Sequence, residues 1–151
     1  MNTITADAMF QRNEPARLVD EPQAVDLVIK EVEEFGNVLE AREHEKVSGL
    51  TGFLLATLTY CYAVGIYSSE DVESACRRNP RVKSLTHNMD LDCQTIRRFR
   101  RRHRAWIETC LARVLSTVGS FRTRQNSLEV FRSFAREKLD LAIMMDTAMA
   151  D

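Results

Sequence analysis

From Val47 to Ser69 the chain runs for 23 residues without a single charged side chain. No other stretch constrains the fold as strongly, because a segment with nothing to solvate it must be surrounded on all sides. A helix that is apolar all round is either the central helix of a bundle or a membrane span. The strongly apolar part, about Phe53 to Tyr67, is shorter than the roughly 20 residues a bilayer requires. Thr51, Thr57 and Thr59 dilute it further. The segment is therefore expected to be a buried core helix, with no membrane partner, ended by a left-handed turn at Gly65. With 5 Gly and 3 Pro in 151 residues, turn formers are too few for a sandwich or barrel of short strands. The expected fold class is all-α, a helical bundle of five or six helices. That length suits one domain, read as a loose arm over residues 1–20 and a single helical domain over 21–151.

The formal net charge of -1 hides a strong division along the chain. Residues 1–76 carry 5 Lys+Arg against 14 Asp+Glu, whereas residues 77–104 carry 10 basic residues against 2 acidic ones. A concentrated basic block of this kind points to a polyanion, here nucleic acid. The alternative is an acidic front that folds directly against the basic block. Four cysteines without a C-x-x-C pair argue against a zinc knuckle, a redox motif or a disulfide framework. Residues 1–20 lack the apolar run of a secretory signal, so a cytoplasmic protein is expected.

Helix punctuation is legible along most of the chain. Pro22 follows Asp20 and Glu21, which is helix-start chemistry. Val25, Val28, Ile29, Val32 and Phe35 then form one apolar face, and Gly36-Asn37 is the expected end. Residues 38–46 read as a short exposed helix or a connector. Ser69 is the expected N-cap of the next helix, with Glu70, Asp71 and Glu73 in its first turn. Asn79-Pro80 should stop that helix, and Val82 and Leu85 should anchor one short turn. Asp92 is the expected cap of a long helix over about residues 93–118.

On a wheel of about 100° per residue, that long helix is amphipathic. Ile96, Phe99, His103, Trp106, Ile107, Cys110, Leu111, Val114 and Val118 fall within roughly 80° of one direction. Gln94, Arg98 and Arg101 point the opposite way, flanked by Thr95, Arg97 and Arg102. Arg100 lies beside the apolar stripe, so it is expected to pair with a carboxylate from a neighbouring helix. Glutamine can bond adenine bidentately, arginine can bond guanine, and every arginine can hold a phosphate. The helix N-terminus also favours an anion. Six arginines within residues 97–104 exceed what solvation of a helix requires. A short helix, a turn and a base-reading helix make a helix-turn-helix-like element between about residues 69 and 105. The expected DNA-binding residues are Gln94, Thr95, Arg97, Arg98, Arg101 and Arg102, with Arg77 and Arg78 from the preceding helix.

These same stretches resemble a known family. An apolar helix ends in Tyr62-Ala-Val-Gly-Ile-Tyr-Ser-Ser, a second helix ends in Arg77-Arg-Asn, and Asp92-Cys-Gln-Thr-Ile-Arg-Arg-Phe-Arg-Arg-Arg-His follows. Their order and spacing over about residues 50–115 are similar to the InsH-type N-terminal domain of bacterial insertion-sequence transposases. The resemblance implies a bacterial protein that binds double-stranded DNA as a transposase end-binding domain does, in the setting of transposition by a mobile element. In that family the domain precedes an RNase H-like catalytic domain with metal-binding carboxylates. A chain ending at Asp151 has no room for such a domain, so no enzymatic activity is expected. The acidic segment before residue 50 departs from the family's usual run.

Little else suggests chemistry. His44, His87 and His103 are far apart, and His103 is expected to be packed or hydrogen-bonded. Glu40, Glu43 and Glu45 read as a solvated acidic face and not as a metal site. No phosphate loop, nucleophile elbow or H-E-x-x-H occurs, and no cofactor or metal is expected. A C-terminal helix over about residues 126–147, starting at Gln125-Asn126-Ser127, carries a wide apolar face from Leu128 to Met145, with Met144 and Met149 nearby. It is expected to pack on the bundle, the alternative being a homodimer through this helix, since methionine-rich faces suit adaptable contacts. The alternative function is a protein-interaction or regulatory module using the basic face and this helix.

Overall fold

The computed structural model describes residues 21–44, 47, 49–119 and 128–150. These residues form seven helices and no strand: α1 (Glu21–Glu43), α2 (Gly49–Val64), α3 (Ser69–Arg78), α4 (Pro80–Thr86), α5 (Cys93–Arg102), α6 (Arg104–Gly119) and α7 (Leu128–Ala150). The all-α expectation holds, with more helices than the five or six expected. The arm over residues 1–20 and the helix start at residues 125–127 lie outside the described residues.

The uncharged run supplies the centre. Every residue from Leu54 to Ala63 in α2 is buried, and α1, α4, α5, α6 and α7 all touch this helix. Each fully buried Leu, such as Leu55 or Leu58, contributes about 1.5–3 kcal/mol relative to exposure. Thr57 is tolerated there because its hydroxyl donates to the Phe53 carbonyl at 2.7 Å. No single helix among the described residues is long and apolar enough to cross a membrane. Gly65 adopts φ +94°, and the Ile66 N–H reaches back to the Cys61 carbonyl at 2.8 Å. This is the expected left-handed stop, and α3 leaves α2 at 105°.

Four boundaries differ from the sequence reading. First, α1 does not stop at Gly36 but runs through residues 38–43. A helical glycine costs about 1 kcal/mol relative to alanine. Beyond it Leu39 is buried, and Phe35 packs edge-on against Trp106 at 5.8 Å, which outweighs that cost. The helix ends instead at His44, which takes φ +55°. Second, the cap of α3 is Ser68, whose side chain accepts from the Asp71 N–H. Ser69 lies one residue inside, because both its N–H and its hydroxyl donate to Asp146.

Third, the short turn at Val82 and Leu85 is a seven-residue helix. Asn79 ends α3 and caps α4, its side-chain oxygen accepting from the Arg81 and Val82 N–H groups. Fourth, the long helix over 93–118 is broken at His103 (φ −118°, ψ 33°). The hydrogen bonds on either side persist, from His103 N–H to Phe99 and from Ile107 N–H to His103, so the break is a bend and not a loop. The His103 ring stacks on Trp106 at 4.0 Å and meets Phe99 at 4.8 Å. The apolar period runs straight through this position, so a wheel cannot reveal the bend.

α7 packs along α6 through Phe131, Ala135, Leu139 and Ala142, all buried. The expected packing of the C-terminal helix on the bundle is therefore what occurs. Two charged residues interrupt the buried side: Lys138, whose Nζ lies 2.9 Å from the Tyr67 hydroxyl, and Asp146.

Candidate nucleic-acid interface

α5 owes its orientation to Ile96 and Phe99, which are buried against the bundle, with α3 and α2 as neighbours. Asp92 caps the helix, its carboxylate accepting from the Thr95 N–H at 2.8 Å. Hydrogen bonds from the Thr95 N–H and side chain, with Arg98 nearby, hold the Asp92 carboxyl below its usual range. The expected cap thus holds, and an aspartate occupies the positive end of this helix.

With the apolar side buried, the opposite side is open. Gln94, Arg98, Arg101 and Arg102 are all exposed. Among the described residues none of these three arginines forms a salt bridge. Thr95 is half-buried at the cap. Arg77 is tied to Glu73 of its own helix, and Glu73 also accepts from the Cys93 thiol at 2.7 Å. That thiol contact, with Arg77 assisting, lowers the Glu73 carboxyl, and the Cys93 thiol is pushed up to about 11 by burial and by Glu73. The Arg77–Glu73–Cys93 chain thus brings Arg77 to the first turn of α5. Arg78 lines a separate depression with Gly65, Ile66 and Asp71.

Arg100 behaves as its wheel position requires. It is 6% exposed, pairs with Asp146 of α7 at 2.6 Å and approaches the Tyr62 hydroxyl at 3.5 Å. Asp146 also accepts from the Ser69 N–H at 2.8 Å and the Ser69 hydroxyl at 2.9 Å. Burial alone would raise the Asp146 carboxyl, but these donors and Arg100 outweigh it and hold the group below the usual range. Burial pushes the Tyr62 hydroxyl up to about 12 despite Arg100 beside it, so it stays a neutral hydrogen-bonding group. Arg97 is not on the outward face. It turns toward α7, with its Nε 3.7 Å from the same Asp146. Arg104, just past the bend, pairs with Asp140 at 2.6 Å.

Two acids of α1 turn to a different helix. Glu31 and Glu34 meet Arg113 of α6, outside the basic block, whereas α7 supplies the carboxylates that face Arg97, Arg100 and Arg104. Among the described residues no group of three or more His, Cys, Asp or Glu could hold a metal ion. Cys61, Cys76 and Cys110 are buried free thiols, and burial raises all three, which makes them poor nucleophiles.

Sequence reading missed Asp146. A signal was present: Leu139, Ala142 and Asp146 are spaced as one helical row, so a carboxylate sits in the buried stripe of α7 just as Arg100 sits in that of α5. Comparison of the chain with protein-family models, with curated proteins and with solved structures finds no match.

Proposed function

We propose that this protein binds double-stranded DNA through α5, in the manner of the end-binding domain of insertion-sequence transposases. One observation carries the reading: Arg98, Arg101 and Arg102 stand exposed beside Gln94, with no salt-bridge partner among the described residues. Arginines kept only to hold the fold together would be paired, as Arg100 is. In this reading Gln94 and Arg98, near the start of α5, meet base edges in the major groove, as in a helix-turn-helix. Arg101 and Arg102 hold phosphates, and Arg77 adds a contact beside the first turn.

The departure from a simple helix-turn-helix is the connection. α5 packs on α3, and the residues between them include α4, where that motif has a turn of three or four residues. A mobility shift with random duplex at two salt concentrations tests the reading. With about four phosphates neutralised, a fourfold rise in salt should weaken binding roughly a hundredfold. Folded protein that fails to bind at low salt refutes it.

A second reading draws on α7, where Ile143 and Met144 are exposed at 37% and 60%. An apolar patch beside arginines suits an acidic protein partner or a second copy of the chain. This interaction module becomes the better reading if duplex binding is absent.

A further inference from the structure

Where α5 bends into α6, the last turns of α7 leave a notch of about 400 Å³ lined by Arg97, Arg100, Arg101, Arg104 and Asp146. Ile143 and Thr147 complete its wall. The Thr147 hydroxyl donates to the Ile143 carbonyl at 3.0 Å, so the arginines are the donors this site has to offer. The charges do not balance. Asp146 already takes Arg100 and both donors of Ser69, and Arg104 has one exposed partner, Asp140. Arg97 Nε is enclosed and has no hydrogen-bond acceptor; the nearest carboxylate oxygen, Asp146 Oδ2, is 3.7 Å away, ion-paired with Arg100 at 2.6 Å and itself without a well-aligned hydrogen-bond donor. Arg101, one turn further on, forms no salt bridge among the described residues.

We infer that this notch is a binding site for a single phosphate group. Arg97, Arg101 and Arg104 follow i, i+4, i+7 spacing along one flank of the bent helix and face a common space. A planar carboxylate is matched by one guanidinium fork. A tetrahedral phosphate presents enough oxygens to engage several arginines that approach from different heights, and the Arg97 side chain, 34% exposed overall, is open to it beyond its enclosed Nε. The site lies on the α7 side of α5, apart from the outward pair Gln94 and Arg98, and it does not depend on base reading. A free phosphate and a phosphate of a nucleic-acid backbone offer the same chemistry.

The experiment compares wild-type protein with Arg97→Gln, Arg97→Lys and Arg98→Gln. Each is titrated with inorganic phosphate against chloride at matched ionic strength, followed by thermal midpoint and calorimetry, and then with duplex DNA. Phosphate should raise the wild-type midpoint beyond chloride. Arg97→Gln should weaken phosphate about tenfold or more. Arg97→Lys, which keeps the charge but loses the fork, should fall between, and Arg98→Gln, outside the notch, should match wild type for inorganic phosphate alone. If phosphate competes with duplex and Arg97→Gln weakens both, the notch seats a backbone phosphate. If only phosphate binding responds to Arg97→Gln, or duplex does not bind at all, the notch takes a free phosphate. The inference is overturned if phosphate and chloride act alike on wild-type protein, or if Arg98→Gln loses as much phosphate affinity as Arg97→Gln.

Discussion

Arg100→Ala and Asp146→Ala should both destabilise the fold, and by unequal amounts. Removing one partner of a buried ion pair costs about 3–5 kcal/mol, because the other charge is left without compensation. In Arg100→Ala the stranded Asp146 still has both donors of Ser69, and Arg97 Nε at 3.7 Å can close on it. The loss should therefore fall at the low end, about 3 kcal/mol, or roughly 6–12 °C in midpoint for a domain of this size. In Asp146→Ala, Arg100 keeps, among the described residues, only the Tyr62 hydroxyl at 3.5 Å. The Ser69 N–H and hydroxyl lose their acceptor as well, adding about 1–3 kcal/mol. Urea titration of both variants and of the double substitution provides the assay, with the double expected to cost less than the two singles together. Two results would refute the reasoning. An unchanged midpoint with lost duplex binding in Arg100→Ala would place Arg100 on the wrong face. Equal losses from the two single variants would mean that the Ser69 bonds contribute nothing.

The same carboxylate sets an acid dependence. Because its pKa in the fold lies below the unfolded value, its contribution is complete above about pH 4 and disappears as pH falls through the folded value. Asp146→Asn should thus be less stable near neutrality and show a shallower loss as pH falls below about 4, read from urea midpoints. On the outward face, Gln94→Ala and Arg98→Ala should relax sequence preference by about 1–3 kcal/mol at one base pair each. Arg101→Ala and Arg102→Ala should weaken selected and scrambled duplexes alike. Equal weakening of both duplexes by all four substitutions would mean that α5 only grips phosphate.

What the sequence made legible follows the range of the forces involved. The core position of α2 came from the absence of charge, the stop at Asn79-Pro80 from local punctuation, and the cap at Asp92 from a residue that bonds within three positions of itself. Arg100 was placed by periodicity alone. Where a partner distant in sequence decides the outcome, reading failed. Ser69 is the expected cap from local sequence, but Asp146, 77 residues away, takes its donors and Ser68 caps instead. Gly36 looked like a stop because the burial of Leu39 and the Phe35–Trp106 contact depend on tertiary packing. The bend at His103 leaves the apolar period intact and so leaves no mark in it. At the candidate interface, exposure of Gln94, Arg98, Arg101 and Arg102 was legible from the wheel, whereas the turn of Arg97 toward α7 required knowing where α7 lies.

That position of α7 also determines how much of the basic block is available to a polyanion. Residues 77–104 carry 10 basic residues against 2 acidic ones, but α7 brings Asp146 against Arg97 and Arg100 and Asp140 against Arg104. Within residues 97–104 this leaves Arg98, Arg101 and Arg102 without a salt bridge among the described residues, and Arg97 incompletely paired. The field open to a polyanion on this helix is therefore that of about four arginines and not six, and a duplex bound as proposed would meet that field. The dependence of log affinity on log salt should have a slope near −3.6, against about −5.4 if all six arginines displaced counterions. A slope near the larger value would mean that Arg100 and Arg104 exchange their α7 carboxylates for phosphates. α7 would then have to leave the bundle on binding, and Asp146→Ala, which breaks its buried tie to α5, would strengthen duplex binding. If α7 stays seated, Asp146→Ala lowers stability without steepening the slope, and Arg100→Ala leaves the slope unchanged.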